Sequence, residues 1–323
     1  MYKLLDTRLT FYPFLYPKAF EYYQKQQRSH WLVDEINLSG DISDWKSSLT
    51  ASEQQVIGTI LKGFAQAEVL VGNYWTAQVG RHFKHPEIQM MAQTNGAFEA
   101  IHSDSYSKLN LTLGLDDFKS FNEEPTVKAK LDRLISTKGK TRKEIAISLA
   151  VFSAFTEGVS LFSSFAILLN FSRFNKMKGM GQIISFSIRD ESLHSESGCW
   201  LFRQLIAEYP ELWTDDLKKE IYEAARATVQ LEDDFIDKAF SLGAIQGLDA
   251  KDLKQFIRHR CNAKLADLGL KANWKNVDKE AVQRITSWFD ILSAGVTQQD
   301  FFAGRETNYS KGSVNWGDIK FNE

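Results

Sequence analysis

Four stretches of this chain repeat apolar residues at the helical period, and each sets an ionisable side chain on the apolar stripe itself. Residues three, four and seven apart share one face of an α-helix. By that rule "LTASEQQVIGTILKGFAQAEVLVGNYWTAQVGRHF" aligns Ile57, Ile60, Leu61, Phe64, Glu68, Val71 and Trp75. "PEIQMMAQTNGAFEAIHSDSYSKLNLTL" aligns Met91, Asn95, Phe98, Glu99, His102 and Tyr106. A third stretch, about 142–171, has Leu149, Phe152, Ala154, Glu157, Leu161 and Phe165 among its buried candidates, and a fourth, about 176–206, includes Ile184, Ile188, Glu191 and His194. A lone carboxylate on a buried face is expensive. The chain must therefore fold so that these groups share a partner.

The rest of the sequence favours the same helical architecture. Only five Pro and 19 Gly occur in 323 residues, which suits long uninterrupted helices. Thr50 and Glu53 form a capping box ahead of the first stripe, and Pro86 suits the first turn of the second. Further helices are expected near 125–136, 215–242, 249–267 and 278–296, with "STKGKT" as a break. No strand-rich region, internal repeat or linker precedes residue 300. The expectation is one all-α domain over 1–303 and a tail over 304–323.

Charge and cysteine content exclude several classes. A formal net charge of −2 and pI ≈ 6.3 leave no basic footprint for nucleic acid. Cys199 and Cys261 form no CxxC motif, which argues against a disulfide framework or a thiolate metal site and suits a reducing cytoplasm. "MYKLLDTRLTFYPF" has no signal-peptide core. The longest apolar run, "VFSAFTEGVSLFSSFAILLNF", is broken by Glu157 and several serines, so it suits a buried helix better than a membrane span.

Of the six histidines, only His102 and His194 have Glu three residues before them. Either pair alone is an ordinary ion pair on a helix face. Glu68 or Glu157 alone is a boundary acid. Together they supply one Glu from each of two helices and a Glu-x-x-His from each of two others, the ligand inventory of ferritin-like di-iron and di-manganese bundles. Four carboxylates offset most of the charge of two divalent ions, and oxygen and imidazole donors suit Fe and Mn. The expected fold class is thus a ferritin-like helical bundle with a dinuclear site inside four core helices.

These motifs resemble the radical-generating small (β) subunit of class I ribonucleotide reductase over nearly the whole chain. Glu99-x-x-His102-x-x-x-Tyr106, Glu157 and Arg189-Asp190-Glu191-x-x-His194 stand in the family's order and spacing. The resemblance implies that Glu68, Glu99 and His102 hold one metal and Glu157, Glu191 and His194 the other, with some carboxylates bridging. It places Tyr106 at the radical tyrosine. "HWLVDEINLSGD" puts Trp31 at the tryptophan of the radical-transfer route, and Asp190 would link that Trp to His102. It also implies ribonucleoside-diphosphate reduction, a homodimer joined through long helices with aromatic outer faces, and a separate large (α) subunit. That large subunit must supply the reducing cysteines, because this chain carries only two scattered ones.

The metals implied are Mn2, Fe2 or a mixed Mn/Fe pair. Glu68 stands where many relatives have Asp, a departure that points to metal-stored oxidant and leaves the role of Tyr106 open. Dioxygen, or superoxide supplied with a flavoprotein's help, would activate the site. The tail "GRETNYSKGSVNWGDIKFNE" is too polar to fold alone, yet carries Trp316, Ile319 and Phe321 as anchors. By resemblance it docks on the large subunit, with Tyr309 as relay. Two rivals share the site. A ligand-binding oxidase related to the family needs a Tyr–Val crosslink, but Phe152 and Leu70 occupy those positions. A ferritin-like store needs neither Trp31, Asp190 nor a tail. Removing a ligand such as Glu191 is expected to ease crowding of carboxylates in the metal-free fold.

Overall fold

The computed structural model describes residues 2–117 and 139–294. Among the described residues all regular structure is helical. The expected helix at 125–136, the boundary at 303 and the tail with Tyr309 lie outside them. No helix among the described residues is long and apolar enough to cross a membrane.

The four striped segments form the heart of the bundle. α1 (Pro17–Arg28) and α2 (Ser39–Ser47) come first, two N-terminal helices the periodicity did not indicate. α3 (Ala51–Asn73) opens on the expected capping box, where Glu53 N donates to Thr50 Oγ1 at 3.2 Å and Thr50 N to Glu53 Oε2 at 2.8 Å. α4 (Pro86–Thr112) packs along it. Their closest approach is set by glycines: a Cβ on Gly72 would lie 3.2 Å from Glu99 Cβ, and one on Gly96 would lie 2.7 Å from Thr76 Cγ2. Small residues there bring Glu68 and Glu99 onto one interior volume.

The third stripe departs from expectation. In place of one helix over 142–171, α5 (Arg142–Ala150) widens into a π segment, Val151–Thr156, then a turn through 157–161, before α6 (Phe162–Arg173). Glu157 N bonds Phe152 O at 3.0 Å and Ser160 N bonds Phe155 O at 2.8 Å, five-residue steps in place of four. Such insertions rotate the following side chain about the axis. α3 also runs into a π segment, Tyr74–Val79. The Val151–Thr156 widening directly precedes Glu157, and the Tyr74–Val79 one begins six residues after Glu68.

α7 (Lys178–Glu208) carries the fourth stripe, and α2 sets its starting point. Asp41 accepts from Gly179 N at 2.9 Å and Met180 N at 2.7 Å, and Asp44 accepts from Met177 N at 2.8 Å. Two carboxylates thus satisfy the open amides of the α7 N-terminus from outside, where negative charge is favoured. α8 (Asp215–Ser241), α9 (Ala250–Asp267) and α10 (Lys279–Ser293) lie near their expected positions; α8 packs on α9, α9 on α10, and α10 against α6 and α7. Among the described residues the exposed large apolar side chains of α3 and α4 are Val69 and Leu111, and the exposed aromatics are Tyr2, Phe11 and Tyr12.

Candidate metal centre

Glu68, Glu99, His102, Glu157, Glu191 and His194 converge inside the bundle, none more than 1% exposed. Two overlapping groups place their donor atoms within 4.8 Å of one another: Glu68, Glu99, His102 and Glu191, and Glu99, Glu157, Glu191 and His194. Glu99 and Glu191 belong to both. Glu99 sets Oε2 at 3.2 Å from His102 Nδ1 and Oε1 at 2.7 Å from His194 Nδ1. Glu191 sets Oε1 at 3.1 Å from His102 Nδ1 and Oε2 at 3.6 Å from His194 Nδ1. Each carboxylate spans both imidazoles, whose centroids lie 6.3 Å apart.

The donor atoms face a common interior more than they face one another. Both oxygens of Glu68, both of Glu191 and both nitrogens of His194 are buried without an aligned hydrogen bond. Buried polar atoms are seldom left so. Six such side chains fit a pair of divalent cations. Without cations the charges sort themselves. Burial, then repulsion from Glu191 and Glu99, raises Glu68 well above the carboxylate range, and burial with Glu191 does the same to Glu157. Glu191 is depressed: the close Glu157 carboxyl and the His102 and His194 imidazoles outweigh its burial. The carboxylates raise His102 against its own burial, and raise His194 to about 9.

Beyond the six, a polar chain leads outward. His102 Nε2 lies 3.3 Å from Asp190 Oδ2, which also accepts from Trp31 Nε1 at 2.8 Å. Asp190 Oδ1 accepts from Gln26 Nε2 at 3.0 Å and from Arg189 at 3.2 Å. His102 above all, then Arg189 and Trp31, outweigh burial and hold Asp190 below the usual range. Trp31 is 2% exposed and sits just before the short turn Val33–Glu35.

The sequence comparison decides the family. Residues 8–281 match the family described as "Ribonucleotide reductase, small chain". The chain belongs to that family. It is 36% identical to the "Probable ribonucleoside-diphosphate reductase small subunit" of Invertebrate iridescent virus 3, over 97% of this chain and 87% of the viral one. Its fold matches a ribonucleotide reductase subunit from Clostridium botulinum with a TM-score of 0.76 and 20% identity, covering 86% of this chain and 88% of that one. It also matches the dimanganese(II) NrdF of Streptococcus sanguinis at 0.73 and 21%, covering 87% and 99%.

As a ribonucleotide reductase small subunit, the chain brings together every anticipated residue that lies among the described ones. Tyr106 is fully buried against Phe64, their centroids 5.0 Å apart, and 6.3 Å from the His102 ring. Its hydroxyl donates at 2.7 Å to Ser187 Oγ, which donates onward to Ile183 O at 3.1 Å. Ser187, Gln26 and Trp75 are contacts that sequence reasoning missed. Trp75 was legible only as one more apolar position on the α3 stripe. Ser187 and Gln26 carry no motif at all.

Proposed function

We propose that the six buried side chains hold a dinuclear Mn or Fe pair, and that this subunit generates the oxidising equivalent which its large subunit uses to reduce ribonucleoside diphosphates. The observation that carries this reading is the way Glu99 and Glu191 each span His102 and His194, two partly shared donor sets side by side. Glu68 and Glu157 would complete the two sets as terminal groups. A bound pair supplies one-electron oxidising power after reaction with dioxygen or superoxide.

The chain's own residues direct that power. Glu99 and Glu191 couple the two positions. Asp190, saturated by four side chains, fixes the His102 ring and accepts from Trp31 on the same oxygen, so it links the two. Burial excludes water from the whole set. Tyr106 faces a serine rather than a base, and burial keeps its proton bound well beyond the ordinary phenol range. We take the oxidant to be stored at the metals, with Tyr106 as a closed-shell neighbour. The dimanganese NrdF among the fold's relatives makes Mn2 the first pair to test.

The partner assignments complete the reading: a homodimer, a large subunit engaged by the tail through Trp316, Ile319, Phe321 and the relay Tyr309, and a flavoprotein activase where superoxide is the activator. The test is reconstitution. The metal-free protein should take up two Mn(II) or Fe(II) per chain and, once activated, support nucleotide reduction with a large subunit. Tyr106→Phe should keep both metals and most activity, and the activated protein should give a multiline manganese resonance. A tyrosyl resonance that disappears together with activity in Tyr106→Phe would move the store to Tyr106. Two metals with no reductase activity would favour the oxidase reading.

A further inference from the structure

Among the four carboxylates, Glu157 is the one hydrogen-bonded to a group outside the six. Trp75 Nε1 donates to its Oε1 at 2.6 Å. The same indole stands edge-on to His194, centroids 6.0 Å apart, and to Phe152 at 5.6 Å. Trp75 therefore touches both groups that belong to the His194 side alone. It is fully buried, and its seat is built: a Cβ on Gly198 would meet Trp75 Cη2 at 3.4 Å, and one on Gly96 would meet Trp75 Cβ at 3.7 Å. Trp75 lies within one π segment and Glu157 directly follows the other. The two irregular turns thus present the two members of this bond to each other. Glu68, the corresponding group on the His102 side, has no hydrogen-bond partner at either oxygen.

We propose that Trp75 is a positioning residue that fixes the plane of the Glu157 carboxylate and turns Oε2 toward the metal, making the two metal positions unequal. This rests on the metal-centre reading above. A rotation that carried Oε1 away from the indole would strand a buried N–H, so the bond holds the Glu157 carboxylate in one orientation. On the His102 side, Glu68 has no such outside bond. Loss of an outer hydrogen bond to a metal ligand costs about 10–100-fold in affinity, and here the loss should fall on one position.

The test uses the full-length metal-free protein and Trp75→Phe, which keeps an aromatic edge and removes the donor. Both are titrated with Mn(II), followed by calorimetry and by the resonance of free Mn(II). The parent should bind two equivalents. Trp75→Phe should bind one with parental affinity and the other about 10–100-fold more weakly. A second measurement needs no substitution: the Trp75 indole proton of 15N-labelled protein should exchange slowly both before and after loading with diamagnetic Zn(II). Unchanged affinity at both positions, equal weakening at both, or a fast-exchanging indole after loading would overturn the proposal. A parent protein that bound no metal pair would overturn the metal-centre reading and this inference with it.

Discussion

Glu68→Gln should stabilise the metal-free protein and destroy its response to metal. Glu68 is fully buried, neither oxygen has a hydrogen-bond partner, and burial with the nearby Glu191 and Glu99 raises its proton affinity well above the ordinary range. A carboxyl raised on folding contributes stability below its unfolded pKa, and loses it as pH rises toward the folded value. Each unit is worth about 1.4 kcal/mol, and the unfolded pKa is near 4.3. The penalty at pH 7 therefore has a ceiling of about 4 kcal/mol, and at pH 5 of about 1 kcal/mol. Gln keeps the shape and abolishes the titration, while its buried amide costs roughly 1–3 kcal/mol if unpaired. The net gain at pH 7 is thus at most about 1–3 kcal/mol. The change in that gain between pH 5 and pH 7, up to about 3 kcal/mol, does not contain the amide cost. Urea unfolding of chelator-treated parent and variant at the two pH values measures it. A saturating metal then reverses the order, since 100-fold excess over Kd adds about 2.7 kcal/mol to the parent alone. A difference between the proteins that stayed flat from pH 5 to pH 7 would refute the argument.

Other substitutions separate the roles of the remaining groups. Glu191→Ala should cost the metal-free protein about 3–5 kcal/mol, because it strips the shared counter-charge from two buried imidazolium groups; this reverses the expected relief of crowding, and thermal unfolding reads it directly, together with lost metal uptake. Trp31→Phe should leave metal content and the activated resonance intact but stop turnover with the large subunit, since Asp190 keeps His102 while the indole link is gone. Deleting residues 314–323 should weaken affinity for the large subunit without altering metal loading, whereas Tyr309→Phe should dock normally and fail to turn over; full-affinity docking by the truncated protein would discard the tail assignment.

The amino-acid sequence alone determined which faces are buried. The stripe residues Ile57, Phe64, Glu68 and Trp75, Met91, Glu99, His102 and Tyr106, and Ile184, Glu191 and His194 point inward as their spacing demands, because helical periodicity is a local property carried by neighbours one or two turns apart. Spacing likewise singled out the six candidate ligands, and motif order pointed to the family. Tertiary structure alone decided how those faces meet. A π turn adds one residue without a compositional signature, so the break after Ala150 and the swing of Glu157 toward Trp75 were invisible to a periodic reading. The spanning of both histidines by Glu99 and Glu191, the support of Asp190 by Gln26 from 164 positions away, and the pairing of Tyr106 with Ser187 from 81 away depend on the axial register and rotation of separate helices. Close glycine contacts between α3 and α4 and the capping of α7 by Asp41 set that register. Such contacts form only when the packed faces choose one arrangement, a cooperative property of the bundle rather than of any single segment.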